Sequence, residues 1–196
     1  MVAAVRVHKT GGPEVLTLDD VEVGAPGQNQ VKLKQHAIGV NYIDTYFRMG
    51  MYPSPVGVPF VAGNEGAGEV TAVGPGVTDI KVGDRVAYVT PLGAYSAERL
   101  LPADRAVKLP DNISYEQAAA MMLKGMTVQY LLNRTFKVGK GTICLIHAAA
   151  GGVGLIACQW ANHLGATVIG TAGSKEKAEL AKQNGAHHMI LYRDED

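Results

Sequence analysis

Cysteine is scarce: only Cys144 and Cys158 occur in 196 residues, and both lie in apolar stretches. That leaves no disulfide framework, and the pair reads as buried thiols of a reducing compartment. An excess of charge is missing too, since 18 basic side chains balance 18 acidic ones. The balance argues against nucleic acid or an anionic membrane as the main partner, because both select a basic face. Long hydrophobic runs are absent. The opening "MVAAVRVHK" meets Arg6 too early for a signal peptide. The nearly apolar stretch from Ile143 to Cys158 is interrupted by Gly151, Gly152 and Gly154 and is short for a membrane span. A soluble cytoplasmic protein is expected. Its length allows one large domain or two small ones, and 47% hydrophobic residues suffice for a core. Glycine is the surplus, at 24 residues, or about 12% against about 7% on average.

The first 110 residues read mostly as short strands. "QVKLKQHAIGV" alternates, with Val31, Leu33, Gln35 and Ala37 on one face and Lys32, Lys34 and His36 on the other. "VLTLDDVEV", "GEVTAVG" and "DRVAYVT" are rich in β-branched residues and bounded by turn formers. Only residues 41–50 have room for a helical turn or two. The result is a twisted, partly closed β domain. The pattern then changes. Ser114 and Gln117 form a capping box before a helix running to about Asn133. "GTICLIHA", "GLIACQWANHLG", "TVIGTA", "SKEKAELAKQNG" and "HMILY" follow as strand, helix, strand, helix and strand, a parallel βαβαβ unit.

Two stretches carry chemistry. In "PFVAGNEGAG", residues 59–68, Asn64 and Glu65 stand among glycines, which suits a metal site, a catalytic pair or a tight turn. In "HAAAGGVG", Ala149, Gly151 and Gly154 match the dinucleotide fingerprint with alanine in first place. A small residue makes the turn, Gly151 lets the backbone approach a pyrophosphate, and Gly154 lets helix and strand pack closely. The helix start offers free N–H groups to the phosphates. The second strand then ends in "TAGSKEK", without the acid that holds an NAD ribose. Lys175 and Lys177 at a helix start oppose the helix dipole unless an anion binds there. They read as a 2′-phosphate site, hence NADP, or as a solvated lysine face.

Together with "GVNYIDTYFR", "VGDRVAY", "GMTVQYLL" and "GTAGSKEKAELAKQNGA", these motifs make the chain resemble the medium-chain dehydrogenase/reductase superfamily, and within it the zeta-crystallin type of quinone oxidoreductase. The resemblance runs the whole length. It implies an α/β fold: a GroES-like substrate domain over 1–125, its linking helix from about 115, and the first half of a Rossmann domain over 126–196, with the active site in the cleft between them. In the zinc-dependent relatives a cysteine ligand stands where this chain has Asn41 and a histidine ligand where it has Asn64, and no cysteine lobe follows residue 86. No metal is therefore expected, and Glu65 is expected to be structural, held by backbone N–H groups of its own glycine-rich turn.

The same resemblance assigns roles. Asn41, Tyr46 and Tyr52 are expected near the substrate. Tyr42, Asp44, Thr127 and Tyr130 are expected at the cofactor, although Tyr42 and Tyr130 also suit core aromatics. Gly152 and Val153 meet the pyrophosphate, in the cofactor-binding turn that Gly151 and Gly154 shape, and Gly173, Ser174, Lys177 and Tyr192 match the 2′-phosphate end. The expected activity is zinc-independent, NADPH-dependent reduction of a quinone. The alternatives are reduction of a 2-enone double bond and a non-catalytic, crystallin-like or NADPH-binding role. Since only the first half of a dinucleotide domain is legible, the chain reads as part of a longer protein, inactive by itself and homodimeric when complete.

Overall fold

The computed structural model describes residues 1–194. Its contacts divide the chain into two compact units, Met1–Leu123 and the chain from Lys124 onward.

The first unit contains β1 (Val2–Val7), β2 (Leu16–Val21), β3 (Gln30–Gly39), α1 (Tyr42–Met49), β4 (Phe60–Val61), β5 (Glu65–Val73), β6 (Arg85–Val89), β7 (Glu98–Pro102) and β8 (Val107–Lys108). They form a five-stranded antiparallel sheet in the order β7-β3-β5-β6-β8 and a three-stranded sheet β2-β1-β4. Val31 and Leu33 are fully buried, as alternation predicts, and pack with Val70, Val86, Tyr88 and Leu101. Ala37 departs from the predicted face. The pairing of β3 with β5 shifts between Gln35 and Ala37, so His36 is an extra residue in a bulge. One added residue turns the following side chains over. Ala37 accordingly packs with Ala67, Ala87, Ala118 and Ala119. His36 is exposed and stacks on Tyr115, with centroids 4.4 Å apart.

Helix α2 (Tyr115–Tyr130) crosses the boundary between the units. The predicted capping box is formed: Gln117 N donates to Ser114 Oγ at 3.2 Å, and Ser114 N to Gln117 Oε1 at 2.9 Å. The α-helix stops before the expected Asn133. Leu131–Thr135 is a π-helical turn, and the Asn133 side-chain amide donates to the Gln129 carbonyl at 2.9 Å. A widened turn of this kind is short by nature, since its hydrogen-bond geometry does not propagate well.

The second unit alternates β9 (Ile143–Ile146), α3 (Gly152–His163), β10 (Thr167–Ala172), α4 (Lys175–Gln183) and β11 (His188–Leu191). Its sheet is parallel in the order β11-β10-β9, the first half of a doubly wound fold. The core is built from Val128, Val168, Cys158 and a set of alanines, including Ala149, Ala157, Ala161 and Ala181, whose small size lets helices sit close to the sheet. Cys158 is buried as expected, whereas Cys144 is half-buried. Burial pushes both thiols above the ordinary cysteine range, which keeps them unreactive. Among the described residues no helix is long and apolar enough to cross a membrane.

Candidate functional site

In the first unit a polar corner forms where β3 hands over to α1 and where β5 begins. Asn41, Asp44, Asn64 and Glu65 are 8, 6, 3 and 0% exposed. The Asp44 carboxylate accepts from Asn41 N at 2.9 Å, which caps the start of α1. It also accepts from Asn64 Nδ2 at 2.7 Å and from Tyr95 Oη at 2.8 Å. Glu65 accepts from Asn41 Nδ2 at 2.7 Å and from Leu123 N at 2.6 Å. The expectation that its own turn would hold Glu65 is therefore corrected. Its side chain reaches α2 and the start of α1, so their N–H groups satisfy it. Asn41 and Asn64 each turn an amide N–H toward a carboxylate, which is the opposite of what a metal ligand must do. Among the described residues no cluster of three or more His, Cys, Asp or Glu could hold a metal ion.

Tyr95 was not foreseen, because nothing near it in sequence marks it; it meets Asp44 only through the fold. Burial first, and then the bond to Asp44, push its phenol well above the ordinary value. Tyr88 is raised as well, chiefly by burial. These phenols keep their protons in the folded state when unfolded tyrosines lose theirs near about pH 10. Their contribution is thus whole below that pH and is lost as pH rises through it. The thermal midpoint should fall above about pH 10, and Tyr95→Phe should flatten that fall. An alkaline limb that is identical in Tyr95→Phe would count against the raised phenol.

The tyrosines of this region face outward. Tyr42 is 81% and Tyr52 47% exposed, and the rings of Tyr46 and Tyr52 meet edge to face at 5.4 Å. The hydroxyls of Tyr42, Tyr46 and Tyr52 have no protein partner among the described residues. Tyr130 is 47% exposed, so neither it nor Tyr42 is a core aromatic; Thr127 lies half-buried on the same helix.

In the second unit, Gly151 precedes α3 as its cap residue, and no side chain caps this helix start. Gly151 N donates to Ala148 O at 2.8 Å, which closes the turn. Gly151 and Gly152 are exposed, while Val153 is half-buried and Gly154 buried. A β-carbon at Gly154 would run into the Ala148 carbonyl and stand 2.7 Å from the Ala149 oxygen. The close helix–strand packing expected at Gly154 is present. Exposed amides at an uncapped helix start are what a pyrophosphate needs. Lys124, also unforeseen, runs its stem past Gly152, where a β-carbon would lie 3.0 Å from Lys124 Cδ and Cε. Gly154→Ala should cost about 1–3 kcal/mol, and the displaced turn should weaken dinucleotide binding more than about tenfold. Calorimetric unfolding and cofactor titration test this; parent-like values in both would contradict it.

At the ends of β10 and β11 four expected residues meet. Ser174 caps α4 by accepting from Lys177 N at 3.3 Å. A β-carbon at Gly173 would stand 2.5 Å from Tyr192 Oη and 3.4 Å from Arg193 Nε. Tyr192 lies just past β11, which ends at Leu191, and does not belong to the strand as expected. Arg193, a cation just past β11, has no counterpart among the expected site residues. A phenol, a guanidinium, an exposed lysine and a helix start around a residue without a side chain fit a phosphate group. The candidate residues thus fall into two sets, one in each unit.

Residues 27–111 match the family model of the alcohol dehydrogenase GroES-like domain, and residues 152–196 that of zinc-binding dehydrogenases. The quinone oxidoreductase of Pseudomonas aeruginosa is 54% identical over the whole chain, and the 2-haloacrylate reductase of a Burkholderia species is 53% identical. The chain spans 60% of the length of each. A solved structure of Escherichia coli quinone oxidoreductase complexed with NADPH superposes with a TM-score of 0.96 at 51% identity, covering 99% of this chain and 60% of that one.

Proposed function

We propose, since this chain belongs to the medium-chain dehydrogenase/reductase superfamily, that the complete protein is an NADPH-dependent, zinc-independent reductase of quinones. The observation that carries this reading is the coexistence of a dinucleotide turn with a corner whose two metal-ligand positions, Asn41 and Asn64, donate to buried carboxylates.

NADPH, when bound, supplies the hydride. The residues of the chain bind, orient and polarise. Main-chain amides of Gly152 and Val153 hold the pyrophosphate beside the turn that Gly151 closes, while Ser174, Lys177 and Tyr192, joined by Arg193, hold the 2′-phosphate. Thr127 and Tyr130 approach the cofactor from α2. With no metal to polarise the acceptor, hydroxyl donors must stabilise charge developing on its oxygen. Tyr42, Tyr46 and Tyr52 suit that role because their hydroxyls are not engaged by the protein. Asn41 and Asp44 act behind them: their mutual bond fixes the start of the helix that carries Tyr42 and Tyr46. A quinone matches this modest equipment, since its reduced form is stabilised by aromaticity.

The Burkholderia relative, named for reduction of 2-haloacrylate, favours a second reading in which the acceptor is a conjugated double bond. A cytoplasmic homodimer is the expected setting. NADPH oxidation by the complete protein, assayed with a simple quinone and with 2-chloroacrylate, separates these readings. Quinone-dependent turnover is expected, with well under one zinc per chain and no loss on chelation. Oxidation with neither acceptor would favour the non-catalytic alternative.

A further inference from the structure

We infer that Thr171 is the positioning residue that sets the dinucleotide turn, by holding Ala148 in a left-handed conformation; this rests on the dinucleotide-binding reading above. Ala148 has φ 51°, a region that an L residue with a side chain enters at a cost on the order of tenfold in population. Something must hold it there. Thr171, in β10, is 6% exposed and lies beside it. Its hydroxyl oxygen accepts from Ala148 N at 3.3 Å and can donate its own proton to His147 Nδ1 at 3.2 Å. Its carbonyl accepts from Ala149 N at 3.0 Å. One residue therefore grips three consecutive positions at the entrance to the turn.

What Ala148 does with this conformation connects it to the ligand. Its carbonyl oxygen accepts from Gly151 N, which closes the turn, and the same oxygen lies against Gly154. Rotating Ala148 back to an ordinary φ would swing that oxygen away from both. With the turn opened, the N–H groups of Gly152 and Val153 would lose their aim at the pyrophosphate, although no residue that touches the ligand had been changed.

Thr171→Val keeps the shape and removes the hydroxyl's bonds to His147 and Ala148, leaving the main-chain bond to Ala149. In the complete protein it should weaken NADPH and NADH alike, by about tenfold each, because the two share the pyrophosphate. Thr171→Ser should bind as the parent does. Adding Ala148→Gly to Thr171→Val should recover most of the loss, since glycine takes a positive φ without penalty. Without any dinucleotide, hydrogen exchange over residues 148–154 should rise in Thr171→Val and return in the double variant. Parent-like binding and exchange in Thr171→Val would overturn the inference, as would a loss that Ala148→Gly fails to recover. If the unmutated protein bound neither dinucleotide while the exchange pattern held, the brace would stand and the dinucleotide reading alone would fall.

Discussion

Glu65→Leu should make the protein unfold far more readily. Leucine fills the space but accepts nothing, so Leu123 N and Asn41 Nδ2 lose the carboxylate that now takes them. A buried donor left without its acceptor costs about 1–3 kcal/mol, so the two together cost about 2–6 kcal/mol. For a protein of this size that is a fall of roughly 5–20 °C in thermal midpoint. Glu65→Gln keeps one acceptor oxygen and should lose about half as much. Catalysis should suffer too, since Asn41 starts the helix that carries Tyr42 and Tyr46. A thermal midpoint for Glu65→Leu within about a degree of the parent would show that the carboxylate is not what ties these elements together.

Lys177→Glu should abolish the preference for NADPH while leaving the fold intact. Lys177 is exposed in the first turn of α4, close to the Ser174 cap. A lysine there works against the helix dipole and a glutamate works with it, so the substitution should leave stability unchanged or raise it by a few tenths of a kcal/mol. Binding should move the other way. A charge-assisted contact to a phosphate near charge −2 is worth about 1–3 kcal/mol. NADPH affinity should drop about tenfold or more, and NADH affinity should hardly change. Opposite signs in stability and in binding separate a phosphate contact from a structural role. Arg193→Glu should act in the same sense, because its guanidinium lies beside Gly173 and the Tyr192 hydroxyl. Equal losses for both cofactors would place Lys177 elsewhere than at the 2′-phosphate.

Much of this architecture was legible in the sequence because its signals are local. The parallel unit announces itself through alternating strand and helix periods, the Ser114–Gln117 box and the glycines around α3. The corner proposed for the 2′-phosphate was singled out through an absence, the missing acid after β10. What escaped reading depends on register and tertiary contact. The bulge at His36 breaks no composition rule, yet it sends Ala37 to another core. Glu65 was legible as buried and structural, but its partner on α2 lies 58 residues away. Tyr95 meets Asp44 across 51 residues, and Arg193 reaches Gly173 only because β10 and β11 pair. Thr171 reads as an ordinary strand residue until Ala148 is seen with its positive φ. Metal absence was argued from asparagines at two positions; the hydrogen bonds add which way their amides point.

Titrating the unmutated complete protein with NADPH and with NADH, by cofactor fluorescence at one ionic strength, tests the central claim most directly. The cluster of Gly173, Ser174, Lys177, Tyr192 and Arg193 predicts that NADPH binds more tightly by about tenfold or more, with a gap that narrows as salt rises. Equal affinities, or a preference for NADH, would contradict the account at the corner on which it rests.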